Sequence, residues 1–245
     1  MKQFSEETYG DRIHKIYDRL YGEFDPEAID VLAALAGQGK ALELGIGTGR
    51  LALPLQKRGV EVHGIDASRS MIEKLRTKPG GDQIPVTVGD FSQVPVEGQF
   101  NLIYVVFNTF YALLTQDKQV DCFQHAARSL NPGGTFLMES FVPDLARFDR
   151  GQRVSVTGMT GEEVRLDAAR HDVARQTISS QNILLTSGGG VELYPVKLRY
   201  AWPSELDLMA RLAGMNLKER WSSWKKEPFQ GDSEKHISLY TLVEE

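Results

Sequence analysis

The chain has 245 residues, 41% of them hydrophobic and 25% charged, with a formal net charge of −5. This length accommodates one large domain with a well-buried core, and the balance of residue types excludes a disordered or membrane-embedded chain. The acidic charge, with no Lys/Arg run beyond Lys225-Lys226, argues against a nucleic acid partner. Residues 1–12 lack an apolar signal-peptide core, and the most apolar later stretch, 101–114, is interrupted by Asn108 and Thr109, so neither a leader nor a membrane span is expected. Cys122 is the only cysteine, which leaves no intrachain disulfide and no cysteine-based zinc site. No metal and a cytoplasmic location are the default expectations.

In chain order, 6–21 reads as one or two helices carrying Tyr9, Tyr17 and Tyr21 among polar residues, the body of a helical cap over residues 1–30. From 40 to 141 short apolar runs alternate with amphipathic stretches, the pattern of strand-helix-strand units in a parallel sheet. Strands are expected at 41–44, 61–65, 85–88, 101–107 and 135–140, and helices at 50–57, 70–77 and 117–130. Asn131-Pro132-Gly133-Gly134 supplies a stop and turn ahead of the fifth strand. Residues 152–200 change character: Thr, Val, Ser and Ile alternate with polar residues, and Ser187-Gly188-Gly189-Gly190 marks a turn between two extended runs. Here Val196, Leu198, Tyr200 and Trp202 recur with period two, with Lys197 and Arg199 on the opposite face. A helix at 204–213 ending at Gly214 and strands at 217–221 and 236–243 resume the alternating pattern. The expected organisation is one α/β domain with its core in 31–150 and 201–245 and an antiparallel β insertion, 151–200, after the fifth strand.

The motif with the most chemistry is Ala41-Leu42-Glu43-Leu44-Gly45-Ile46-Gly47-Thr48-Gly49-Arg50, a strand running into a glycine turn that opens a helix. Gly45, Gly47 and Gly49 permit a sharp turn and the close approach of a ligand to the backbone. Glu43 precedes the first glycine by two residues, where a carboxylate can receive a cationic amino group. Asp66 ends the second strand at a spacing suited to ribose hydroxyls, and Gly89-Asp90-Phe91 puts a third carboxylate on the same strand-end edge, where open α/β sheets bind ligands.

These features, in this order and register, resemble the class I S-adenosylmethionine-dependent methyltransferases, and the resemblance covers most of the chain outside the insertion. It implies a Rossmann-like, mostly parallel seven-stranded sheet with helices on both faces, and S-adenosylmethionine as cofactor. Glu43 with the turn from Gly45 to Gly49 would hold the methionine part. Asp66 would lie at the ribose, Met71 near the adenine, Asp90 at the adenine amino group and Phe91 against the ring, with Ala67 and Val106 as further cofactor contacts. The rival dinucleotide-dependent oxidoreductase has G-x-G-x-x-G/A, whose last position is here Arg50, and a carboxylate at Glu43 would repel a pyrophosphate. A binding protein that keeps the cofactor fold without catalysis is the other alternative.

Methyl transfer requires an acceptor lone pair in line with the sulfonium methyl. An amine needs little more than alignment, whereas a hydroxyl needs a general base. The cap and insertion resemble those of small-molecule methyltransferases of natural-product pathways, with amino-sugar N-methyltransferases and peptide N-terminal amine methyltransferases as examples. The candidates for catalysis are Glu139, His171 and Tyr17. Tyr21, Asn108, Arg199 and Trp202 are candidates for acceptor contact. Five of these have a plainer alternative: Tyr17 and Tyr21 pack on the core, Glu139 forms an ion pair or helix contact, His171 lies in an exposed loop, and Trp202 is a core residue. His63 and His236 fit packing or loop roles at least as well. The insertion serves either as an acceptor cover or as a homodimer interface.

Overall fold

The computed structural model describes residues 7–93 and 96–243. Residues 1–6 of the expected cap, 94–95, and 244–245 of the expected core lie outside the described residues. Strands β1 (Lys40–Leu44), β2 (Glu61–Asp66), β3 (Val86–Val88), β4 (Phe100–Val105) and β5 (Leu130–Phe141) pair in parallel. β11 (Lys235–Leu242) runs antiparallel to β5, and β10 (Met215–Trp221) antiparallel to β11. The seven-stranded order is β10-β11-β5-β4-β1-β2-β3.

Side-chain alternation divides the core into two layers, one on each face of the sheet. Leu42, Leu44, Ile103, Val105, Phe136 and Met138 pack with α6 (Gln116–Ser129) and α7 (Pro203–Leu212). Their strand neighbours Ala41, Leu102, Tyr104 and Leu137 pack with α3 (Pro26–Ala36) and α4 (Ala52–Lys57). Near-continuous apolar runs such as 102–106 follow from this double coverage. No helix among the described residues is long and apolar enough to cross a membrane.

Three local features differ from the sequence expectation. α3 straddles residue 31 and packs on β4 and β5; its start is set by the Asp25 carboxylate accepting from the Glu27 amide at 3.2 Å with Pro26 in the first turn, and its end by Gly37 at φ +57°. Asn131 to Gly134 does not precede the fifth strand. The register with β4 jumps from Phe100 opposite Leu130 to Leu102 opposite Thr135, so the four residues form a bulge inside β5, with Asn131 Nδ2 donating to Asn101 Oδ1 at 2.6 Å. β4 stops at Val105, short of the expected 107, because Phe107 and Asn108 adopt left-handed φ values of 56° and 65°.

The insertion is a four-stranded antiparallel meander, β6 (Gln152–Met159), β7 (Glu163–Asp172), β8 (Thr177–Thr186) and β9 (Val191–Arg199), in that spatial order. Ser187 to Gly190 joins β8 to β9, with the Thr186 amide donating to the Gly190 carbonyl at 3.0 Å. α1 (Thr8–Ile13) and α2 (Tyr17–Tyr21) lie between this sheet and α5 (Arg69–Arg76): Ile13 packs with Met71 of α5 and with Leu184 and Tyr194 of β8 and β9.

Phe123 of α6 is fully buried and makes edge contacts with Phe110, Phe136 and Tyr240 at centroid distances of 5.5, 5.1 and 5.4 Å. Phe123→Ala is expected to cost about 3–5 kcal/mol, measured as a shift in the urea unfolding midpoint at constant m-value.

Candidate active site

At the C-terminal edge of the parallel strands, backbone geometry shapes the first wall of a cavity of about 290 Å3. Gly45 and Gly47 turn with φ of +74° and +56°. A Cβ at Gly45 would come within 2.3 Å of the Thr109 methyl, so only glycine fits between β1 and the 3-10 turn Thr109–Ala112. The amides of Gly45 and Ile46 both donate to the Ile65 carbonyl, at 2.8 and 2.9 Å. Asp66 completes this joint: Oδ2 accepts from the Gly47 amide at 2.7 Å and Oδ1 from the Ser68 amide at 2.8 Å. Burial raises the Asp66 carboxyl above its ordinary value, opposed by those two amides.

Asp66, Ala67 and Met71 line the cavity together with Asp90, Phe91 and Asn108. Asp90 is half-buried; burial works against its charge, but the Lys118 ammonium at 2.7 Å and the Ser92 amide at 2.8 Å hold its carboxyl below the usual value. The cap closes one side with Tyr9, Tyr17 and Tyr21, and the insertion another with Asn182, Val196 and Leu198. Burial pushes the Tyr17 hydroxyl up to about 12, against the lowering effect of Arg50, so it stays protonated at neutral pH. Tyr21 meets Tyr17 at 5.4 Å and Phe107 at 5.5 Å between ring centroids, and the Arg50 guanidinium lies 4.4 Å over the Phe107 ring.

Glu43 is buried behind this wall, with the Tyr104 hydroxyl donating to Oε2 at 2.9 Å. Burial pushes its carboxyl up to about 8 despite the lowering pull of Tyr104 and Arg50. Gly49 turns at φ +78°, and a Cβ there would meet Leu75 at 2.4 Å, so the third glycine serves the packing of α5. Val106 is buried in the α3-side core layer. Neither Gly49 nor Val106 reaches the cavity wall.

Four further candidates fall outside the cavity. Glu139 accepts from Phe107 N, Trp224 Nε1 and Lys235 Nζ at 3.2, 3.2 and 3.1 Å, an arrangement that bridges β5, β11 and the loop after β4. His171 lies on β7 rather than in a loop; its Nε2 is 2.9 Å from the Tyr200 hydroxyl and its ring 5.0 Å from Phe148. Arg199 is buried; its Nη2 donates to Glu205 at 2.8 Å and to Gln176 at 3.3 Å and its Nη1 to Gln119, which anchors the end of β9 to α6 and α7. Trp202 precedes α7, is 39% exposed, and touches Tyr200 edge-on at 6.3 Å. His236 is buried, its proton affinity depressed to about 3 by burial and Arg220, and His63 sits beside Glu61 at 3.0 Å on β2.

Asn182 had no sequence signal of its own, since its place in the wall depends on how the meander folds back over the core. Val196 and Leu198 did have one, because the period-two run identified their face. Only the residues at the end of that run, Tyr200 and Trp202, pass beyond the cavity.

Comparison with known proteins agrees with this arrangement. A family model described as a methyltransferase domain matches residues 41–134. The solved CcbJ methyltransferase from Streptomyces caelestis is 38% identical, covers 98% of this chain and 100% of its own, and superposes with a TM-score of 0.91. The cypemycin N-terminal methyltransferase of a Streptomyces species is 27% identical over 87% of this chain and 94% of that protein. The sugar N-methyltransferase KedS8 from Streptoalloteichus shares the fold, with a TM-score of 0.70 at 14% identity and 99% coverage of each chain. The fold and site define a Rossmann-like transferase with a strand-end cofactor cavity. The chain belongs to the class I S-adenosylmethionine-dependent methyltransferases, and S-adenosylmethionine is its cofactor.

The raised Glu43 carboxyl has a measurable consequence for the cofactor-free protein. From its ordinary value of 4.5 up to about 8, the unfolded chain gives up a proton that the folded chain keeps, so stability falls as pH rises across that window. Relative to Glu43→Gln, the wild type is expected to lose up to about 1.4 kcal/mol per pH unit, read from urea unfolding at successive pH values. Parallel pH profiles would mean that Glu43 ionises as if in water.

Proposed function

We propose that this enzyme transfers a methyl group to an amine of a small acceptor, natural products, amino sugars and peptide N-termini being the classes that fit. The carrying observation is the composition of the cavity wall. Among its described residues there is no histidine, and its only carboxylates, Asp66 and Asp90, are held by backbone amides and by Lys118. The wall offers a hydroxyl acceptor neither an imidazole nor an unengaged carboxylate as base, its one amine being Lys197, whereas an amine that has lost its proton on leaving water needs alignment alone. The cypemycin relative, named as an N-terminal methyltransferase, supports the same chemistry.

The residues present fit the cofactor. Glu43, buried behind the cavity wall with the Tyr104 hydroxyl donating to it, suits the amino group of the methionine part, which the turn at Gly45 and Gly47 also accommodates. Asp66 and Ala67 suit the ribose, and Met71, Asp90 and Phe91 the adenine. The bound cofactor supplies an electrophilic methyl group on a sulfonium centre. Tyr17 and Tyr21, with Phe107, exclude water from the reacting atoms and offer aromatic faces and a protonated hydroxyl to the amine. Asn182, Val196 and Leu198 form the acceptor side, with Asn182 the polar group that orients the acceptor body.

Asp66→Ala is expected to weaken S-adenosylmethionine binding about tenfold or more, since hydrogen bonds to a charged group contribute about 1.5–3 kcal/mol; calorimetry on the folded variant measures this. His171→Ala is expected to leave kcat far above the roughly 100-fold loss that removing a general base causes. Turnover on matched amine and alcohol acceptors, followed by mass gain with labelled cofactor, tests the class directly. Preferential methylation of the alcohol would overturn the amine reading.

A further inference from the structure

The two faces of the insertion meander are chemically different. The inner face carries Leu184 and Tyr194 against the cap and Asn182 at the cavity. On the outer face the strand registers align Val156, Leu166, Ile183 and Leu193 in one row. Both edge strands leave apolar side chains in water: Val154, Val156 and Met159 of β6 are 71%, 62% and 74% exposed, and Val191 and Leu193 of β9 are 62% and 50% exposed. Gln181 is the one polar interruption among these rows, and the charges lie at the ends of the face. Soluble chains rarely leave so continuous an apolar sheet face uncovered.

We propose that this outer face is a homodimer interface, covered by the same face of a second copy of the chain. Its size fits: four strands about 4.8 Å apart and central strands about 33 Å long present roughly 600 Å2 of flat area. Side-chain relief raises this toward the ~800 Å2 per partner of a stable complex. Its shape fits as well, because two twisted sheets pack face to face with their strands nearly aligned.

Charge selects the symmetry. Arg170 and Lys197 share the end row of this face through the register Arg170 to Ser179 to Lys197, whereas Glu162 lies in the β6–β7 turn at the opposite end. A two-fold axis along the strands would stack the cationic ends on each other. An axis across the strands sets the Arg170 end of one copy over the Glu162 end of the other, and a contact of this isologous kind closes at two copies. The meander then faces the cavity on one side and the second copy on the other.

Sedimentation velocity of the full chain over a wide concentration range tests this. The wild type is expected at twice the 27.4 kDa of one chain. Val156→Glu with Leu193→Glu is expected to raise the dimer dissociation constant by about a hundredfold or more, because the new charges would be stripped of water in the interface. Circular dichroism and retained S-adenosylmethionine binding would establish that the variant is folded. Arg170→Glu is expected to weaken the dimer, and its combination with Glu162→Arg to restore it. A wild type that is monomeric throughout, or a dimer unchanged by both the apolar and the charge substitutions, would overturn the proposal.

Discussion

The site depends on one carboxylate that accepts two amides. Asp66 holds the turn after β1 through Gly47 and the turn after β2 through Ser68. Two parallel strands therefore end in a fixed relation to each other even though no hairpin joins them. Each amide would otherwise point into a dehydrated cleft, where an unsatisfied donor costs about 1–3 kcal/mol. Because one group serves both turns, the positive-φ conformations at Gly45 and Gly47 and the start of α5 are set together. The same oxygens line the cavity, so the joint that shapes the cleft is also part of its polar surface.

The cap is fastened to this joint at several points. The Ser68 hydroxyl donates to Asp11 at 2.6 Å, and Asp18 accepts from the Thr48 hydroxyl at 2.6 Å and from Lys78 at 2.8 Å. Arg19 reaches across to Glu163 of β7 at 2.8 Å. α1 and α2 are too short to be stable alone; their order comes from these contacts and from the apolar cluster around Ile13. The cap residues and the glycine turn are thus coupled through short, charge-assisted hydrogen bonds to the Asp11 and Asp18 carboxylates.

How much could be read from the sequence varies with the range of the determining interactions. The β1 motif, Asp66 and Asp90 were legible because strand, turn and acid follow one another locally, and alternating apolar runs sufficed for the sheet and the insertion. α3 escaped because its apolar spacing runs on from a polar cap, although Asp25-Pro26 and Gly37 mark its ends. Glu139, His171 and Arg199 have the residue types of catalysts, but their partners Trp224, Tyr200 and Gln119 are supplied by distant segments or by folding of the meander. No spacing rule distinguishes a residue so engaged from a free one. Asn182 is the converse case, an ordinary polar residue on a strand whose position is set only by tertiary structure.

The meander also differs from the core in how it can form. β6 to β9 pair only with their chain neighbours through short turns, whereas β1 must find β4 across two intervening strands and two helices. Pairings of low sequence separation close quickly, while parallel pairings wait on long loops. The chain leaves the main sheet at Phe141 and returns to it through Tyr200, so the insertion closes as a locally wired unit. Its sequence is therefore free to diverge, strand by strand, without altering the slow, non-local steps by which the cofactor-binding sheet assembles.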